Sequence, residues 1–317
     1  MDVIFDTDPG IDDAMALYLL GRHPSLRLRA VTSVFGNGPV DMTTRNARAL
    51  LGFYGFDVPV ARGAAGPLVP QGPQHFALHV HGDDGLGGMA AQATELAALD
   101  PRPAHALICD MVNAEPGAIT LIAVGPLTNL ALALRQDPGI AAKVKQVIIM
   151  GGAFGANGHF GNVTPVAEAN IICDPEAADA VFAAAWPVVI VGLDVTQETV
   201  MHEDFLAGLQ GRGRGAGDFL WGASRFYQDF YAERDGIQGI YAHDASAIAY
   251  AIEPEAFTLR AGPVRAVTEG IARGQTIQDH RDLGHGQPSA WSGLPIHQAC
   301  VAVRPERVLA LFDAAFD

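Results

Sequence analysis

Val3-Ile4-Phe5-Asp6-Thr7-Asp8-Pro9-Gly10-Ile11-Asp12-Asp13-Ala14-Met15-Ala16-Leu17-Tyr18-Leu19-Leu20 is the stretch from which the fold is read. A short apolar run comes first, four aspartates follow within eight residues, and an amphipathic segment closes it. That order predicts strand, tight turn, helix. Pro9 fixes φ and Gly10 permits φ > 0, so the chain turns where the acids sit. Asp12 or Asp13 is placed to cap the new helix. A single Asp at such a point is ordinarily a solvated cap. Several like charges in one turn are costly unless something positive neutralises them, and hard oxygen ligands clustered this way suit Ca²⁺ or Mg²⁺. An EF-hand is excluded. Its last ligand position would fall on Leu17 or Leu19, where a Glu is required.

Apolar runs at Val3–Phe5, Arg29–Val34, Val58–Ala61, Ile119–Val124, Val147–Met150 and Val188–Val191 read as strands. Helical patterns lie between them, at Met42–Phe53, Ala104–Ala114, Leu127–Arg135 and Pro175–Trp186. Continuous apolar strands separated by helices predict an α/β fold, an open, mostly parallel sheet with helices on both faces and a Rossmann-like core. Ligands in such folds bind beyond the carboxyl ends of the strands. The acid cluster, Gly36-Asn37 and Val124-Gly125-Pro126 all fall there. Residues 203–250 read as helical, with Gly211-Arg212-Gly213-Arg214-Gly215 as a flexible loop. With no repeat or linker in view, one domain over 1–317 is the simplest organisation.

The 317 residues are 49% hydrophobic, enough for a large core and too apolar for disorder. A net charge of −15 disfavours nucleic-acid and anionic-membrane partners. Cys109, Cys173 and Cys300 are odd in number and widely spaced, which predicts reduced, buried thiols in a cytoplasmic protein, Cys173 among them in the core. No signal-peptide pattern and no run of about 18 apolar residues is present, so no secretion and no membrane span are expected.

Five further constellations stand out. His75, His79 and His81 sit in a Gly- and Asp-rich loop; they could hold zinc, but a mobile loop lending one His to a ligand fits better. Gly125-Pro126-Leu127-Thr128-Asn129 is a strand–helix turn that can leave a carbonyl free. Asn162, Glu168 and Asn170 follow the Met150-Gly151-Gly152 strand end, where they either hold the loop or hydrogen-bond a polyhydroxylated ligand. Asp174-Pro175-Glu176 starts a helix with an Asp cap and Pro at its first position. His243-Asp244 opens another helix, where Asp244 is an N-cap or the pair supplies a metal ligand beside a general acid.

These pieces, in this order, resemble the inosine–uridine-preferring nucleoside hydrolases. The motifs are Asp6 to Asp13, Val34-Phe35-Gly36-Asn37, His81-Gly82-Asp83-Asp84-Gly85, Gly125 to Asn129, Met150-Gly151-Gly152, Pro165 to Asn170 with Asp174 to Ala178, and His243-Asp244. The resemblance implies hydrolysis of the N-glycosidic bond of a ribonucleoside to free base and ribose, with one Ca²⁺. It implies Asp8, Asp13 and Asp244 as side-chain ligands and Val124 as a backbone-carbonyl ligand. Asp8 would also take a proton from the attacking water. Asp12, Asn170 and Asp244 would hold the 2′- and 3′-hydroxyls, Asn162 and Glu168 the 5′-hydroxyl. Asn37 would orient ribose and water, His81 would lie near the 5′ side and base, and His243 would protonate the leaving base. Tyr227 and Tyr231 would assist or stack on that base. A homodimer or homotetramer is implied. Ala169 departs from the family, which often has an aromatic residue there.

The chemistry agrees: glycosidic cleavage builds positive charge on the sugar, and a pocket of carboxylates favours it. Two competing readings are a non-catalytic nucleoside-binding protein on the same scaffold and a haloacid-dehalogenase-like phosphotransferase. The second wants Thr or Val where Gly10 stands.

Overall fold

A computed structural model describes residues 1–280 and 289–317. Seven strands come first: β1 (Asp2–Thr7), β2 (Arg27–Ser33), β3 (Val60–Ala61), β4 (Leu99–Asp100), β5 (Ile119–Ala123), β6 (Gln146–Met150) and β7 (Val188–Val191). The strands β8 (Val200–His202) and β9 (Gly239–Tyr241) form a separate antiparallel ribbon. Then come β10 (Phe257–Gly262), the ribbon of β11 (Val264–Ala266) with β12 (Thr276–Gln278), and β13 (His297–Val303). Among the described residues the main sheet has nine strands, in the order β10-β13-β7-β6-β5-β1-β2-β3-β4. Its pairs are parallel except β10 against β13.

From β1 the chain builds outward through β2, β3 and β4, then returns to lay β5 on the other side of β1. The strand order reverses there, so the carboxyl ends of β1 and β5 frame a crevice. The acid turn leaves β1 into it, and Val124 leaves β5 beside it.

Successive strand residues point to opposite faces, which gives the sheet two cores. Val3, Phe5, Ile122 and Ile148 pack with Met15, Leu19, Leu50 and Ile248 on one side. Ile4, Leu121, Val147 and Ile149 pack with Leu107, Ile108, Leu130 and Val181 on the other. The helix Ile11–Arg22 is buried from Ile11 to Leu20 because the helices Ala216–Asp235 and His243–Ile252 lie against it. This brings the last third of the chain over the first turn.

Several expectations need correcting. The helix expected over Pro175–Trp186 ends at Ala183; Pro187 blocks its continuation, and Trp186 is buried in the second core. Residues 203–250 are not one helical region, since β9 interrupts them. The loop 211–215 is tied down: Arg212 donates to Asp313 at 2.5 Å and to Asp317 at 2.9 Å near the chain's end. Cys109 and Cys300 are buried, but Cys173 is only half-buried. The strands β4, β10 and β13 had no reading from sequence. β4 is two residues long, and the edge strand β10 is largely exposed, so neither carries a clear apolar run. No helix among the described residues is long and apolar enough to cross a membrane.

Candidate active site

The turn after β1 is built around Asp13. Its carboxylate accepts from the Thr7 hydroxyl, from the Gly10 N–H at 2.9 Å and from the Asp8 N–H at 3.2 Å. The helix therefore begins with Gly10 at its N-cap position, and Asp13 reaches back one turn to satisfy it. Neither Asp12 nor Asp13 is the N-cap itself. Asp8 Oδ2 accepts from the Asn37 N–H at 2.7 Å, and the Asn37 amide donates to Asp13 Oδ2 at 3.1 Å. Asn37 thus bridges two of the acids. Gly125 is required beside them: a Cβ there would lie 2.5 Å from Asp8 Oδ1.

Asp244 comes to this turn from the helix His243–Ile252. Its carboxylate, with those of Asp12 and Asp13, can place oxygens within 4.8 Å of one another. It sits in the helix's first turn behind Ala242, and is not the N-cap. Burial, then mutual repulsion, raises the acids: Asp13 to about 6, and Asp8 and Asp244 well above the usual carboxylate range. Burial raises Asp12 to about 6. Asp8 Oδ1 and Asp12 Oδ1 are buried without a hydrogen-bond partner. Unsatisfied oxygens in a cluster of buried carboxylates fit a hard divalent cation. Asp6, the fourth acid of the turn, serves the scaffold instead. It accepts from Thr32 at 2.5 Å and Asn129 at 2.7 Å, and burial pushes it to about 7.

On the β5–β6 side, Asn170 donates to the Val124 carbonyl at 2.8 Å and to the Met150 carbonyl at 3.1 Å. A carbonyl has two lone pairs, so Val124 keeps one for another ligand. Glu168 is buried and caps the short helix Ala169–Cys173. It accepts from the Asn170, Ile171 and Gly152 N–H groups at 2.9, 3.1 and 2.9 Å. Burial still holds its carboxyl up at about 7. Asn162 accepts from the Ala169 N–H at 3.0 Å. Asp174 caps the following helix through the Ala177 N–H at 3.0 Å, as its Pro175 neighbour foretold.

The two site histidines are neutral. His81 Nδ1 accepts from the Ile11 N–H at 3.1 Å, which leaves Nε2 as the protonated nitrogen; burial lowers it to about 4. His81 lies at the end of a short helix, Leu78–His81, where a mobile loop was expected. Among the described residues His75, His79 and His81 form no ligand cluster, so the zinc reading falls. His243 Nδ1 is 2.8 Å from Thr196 Oγ1, and its Nε2 is 2.9 Å from the Tyr231 hydroxyl. Burial, then the charge of Arg234, lowers His243 to about 3. From Tyr231 the chain of contacts continues to Tyr227 at 3.0 Å and to Asp12 Oδ2 at 3.4 Å.

A cavity of about 300 Å³ opens over these groups. Asp12, Asn37, His81, Val124, Asn162, Glu168, Asn170, Tyr227, Tyr231, His243 and Asp244 line it, whereas Asp8 and Asp13 lie outside its lining. It also gathers residues the sequence left unmarked. Phe230 and Arg234 come with Tyr227 and Tyr231 from one face of the helix Ala216–Asp235, and the guanidinium lies 5.0 Å from the Tyr231 ring centroid. Their i, i+3, i+4 and i+7 spacing was the available signal. Thr196, which orients His243, comes from a separate short helix and had none.

The inosine-uridine preferring nucleoside hydrolase family model matches residues 3–310. A probable uridine nucleosidase 1 of Oryza sativa subsp. japonica is 41% identical over 92% of this chain and 89% of its own length. An inosine-uridine preferring nucleoside hydrolase of Leishmania major is 38% identical over 88% of each chain. Among solved structures, a plant nucleoside hydrolase superposes with a TM-score of 0.94 at 38% identity, over 99% of this chain and 98% of that one. The match runs through the crevice between β1 and β5 and nearly the whole sheet around it, and the chain belongs to the inosine–uridine preferring nucleoside hydrolase family.

Proposed function

We propose that the chain hydrolyses the N-glycosidic bond of ribonucleosides, uridine among them, in a Ca²⁺-dependent reaction. The family supports hydrolysis, and the similarity to uridine nucleosidases supports the base. The single observation that carries the metal is the buried acid cluster with its two unpartnered oxygens. Asp8, Asp13, Asp244 and the Val124 carbonyl would hold the cation. When bound, it neutralises the acids, acidifies water and binds the ribose diol.

The remaining roles belong to this chain's side chains. Asp8 is the base that takes the proton of the attacking water. Asn37, which already holds Asp8 and Asp13 in register, orients ribose and water. Asp12, Asn170 and Asp244 receive the 2′- and 3′-hydroxyls; Asn162 and Glu168 receive the 5′-hydroxyl. His81 lies beside the 5′ side and the base. The carboxylates around the sugar favour the positive charge that grows as the bond breaks.

His243 supplies the proton to the departing base. A histidine held near 3 is neutral at rest, so giving up a proton without leaving an imidazolate requires a second proton, which the Asp12–Tyr227–Tyr231 chain hands to the ring as the base departs. The aromatic pair also offers a surface for the base. In the same reading the working form is a cytoplasmic homodimer or homotetramer.

The test is release of reducing sugar from a panel of ribonucleosides without phosphate, with and without a strong Ca²⁺ chelator. Chelator-sensitive turnover that Ca²⁺ restores is the expected result. Turnover that requires phosphate would replace hydrolysis with phosphorolysis. Binding of uridine without turnover, with one Ca²⁺ per chain, would favour the non-catalytic reading.

A further inference from the structure

A second cavity of about 430 Å³ adjoins the first. Asn37, Ala77, His79, Val163, Ala169 and Asn170 line both. Beyond this shared rim its wall is largely apolar, with Phe35, Val69, Phe76, Ile172 and Cys173. Ala169 stands at the junction, and its side chain is a single methyl. The ring of a larger residue would fill the space that joins the two cavities.

Charge narrows what the second cavity accepts. Arg273 lines it, but Arg273 already makes a bidentate pair with Glu176 at 2.6 and 2.8 Å and donates to the Thr268 carbonyl. Asp8 lines it as well and is an acid. A phosphate would therefore meet a committed guanidinium and a carboxylate. A neutral apolar group would meet rings and branched chains, in a space of the size that small-molecule sites occupy.

We propose that the Ala169-side cavity is a subsite for an apolar substituent on the 5′ carbon of the nucleoside, so that 5′-deoxy-5′-alkylthio ribonucleosides are substrates. The inference rests on the reading above that Asn162 and Glu168 face the 5′ end. Asn162 and Val163 are neighbours in the chain, and Val163 belongs to the shared rim. A 5′ substituent passes Val163 and Ala169 and comes to lie against Val69 and Phe76. The reaction is unchanged: water adds to C1′, the base leaves, and the 5′ group is carried through intact.

The experiment compares uridine, 5′-deoxyuridine, and 5′-deoxy-5′-methylthio- and 5′-deoxy-5′-butylthio-uridine. 5′-Deoxyuridine removes the effect of losing the 5′-hydroxyl. With the wild-type chain, kcat/KM is expected to rise with each added methylene, by up to about threefold to fourfold, the increment of a fully buried methylene. Val69 lines the second cavity and not the first, so Val69→Trp adds bulk to the second alone. It should cost the butylthio compound at least tenfold relative to the methylthio compound and leave uridine within twofold.

A flat or falling series from methylthio to butylthio overturns the inference, as does an equal loss on uridine and the butylthio compound in Val69→Trp. Uridine turnover with a flat series sinks this subsite alone. No turnover of uridine sinks the hydrolase reading. The series is then read as dissociation constants by calorimetry, where the same rise supports the subsite and a flat series removes it.

Discussion

Tyr231 places its hydroxyl 2.9 Å from Nε2 of His243, while Thr196 holds the opposite ring nitrogen at 2.8 Å. A head-to-tail arrangement satisfies every group: Thr196 donates into Nδ1, Nε2–H donates to Tyr231, Tyr231 to Tyr227, and Tyr227 to Asp12. The imidazole is buried, neutral at rest and oriented from both sides, and it stands at one end of a hydrogen-bonded path that runs to Asp12.

Removing that path should depend on the leaving group. His243→Ala is expected to lower kcat on uridine by about 10²–10⁴-fold, the usual worth of a positioned general acid. Tyr231→Phe should lower it less, because His243 keeps its Thr196 contact. A riboside whose aglycone leaves without protonation should be cleaved by both variants at close to the wild-type rate. An equal loss on both substrates would assign these residues to the fold instead.

Asp8→Ala should abolish turnover, with a loss of at least about 10²-fold. The metal-free variant should melt at or above the wild-type temperature, because a buried carboxylate repelled by Asp13 and Asp12 is gone. Thermal unfolding alongside kinetics checks both halves, and unchanged activity would remove Asp8 from its proposed role.

Metal affinity should depend on pH with a definite sign. Asp12 and Asp13 stand at about 6 without metal, raised from 3.8. Ca²⁺ requires Asp13 ionised as its ligand and is favoured by a charged Asp12 beside it, so affinity should fall as pH drops through 6, and protons should be released on binding. Calorimetry at pH 7.5 and 5.5 reads this directly. For the metal-free protein the folded acids hold more protons than the unfolded ones between 3.8 and about 6. Stability therefore falls as pH rises through that window, and Ca²⁺ restores it at neutral pH. A metal-free melting temperature that rises with pH there would contradict the assignment.

Glu168 carries two roles that separate by substitution. It caps the helix Ala169–Cys173 and accepts three backbone N–H groups. Glu168→Ala should cost about 1–3 kcal/mol of stability, the penalty of leaving buried donors unsatisfied. If the 5′-hydroxyl reading holds, kcat/KM should fall for uridine and change little for 5′-deoxyuridine. An equal fall on both would leave only the cap.

The first turn was legible because its signals are local. A strand, Pro9 and clustered acids lie within one short window, and the mostly parallel sheet followed from apolar runs alternating with helical ones; Gly10 has φ −100°, so it is there not for a positive φ but because a Cβ would lie 2.7 Å from His81 Nδ1. Asp244 and Asn37 could be placed at the site by motif but not tied to Asp13 by any local rule. The contact between Tyr227 and Asp12 spans 215 residues. Periodicity says which face of a helix is apolar, not which distant turn it covers.

The sequence by itself therefore determined the fold class, the acid turn and its need for a positive partner, because backbone preference and like-charge repulsion act over a few residues. Tertiary structure alone decided the rest. It turned Asp6 into the scaffold, brought Asp244 to Asp12 and Asp13, and packed Thr196 and Tyr231 on either side of His243. It also opened the space beside Ala169. Burial sets these protonation states, and burial exists only once distant segments have closed over one another.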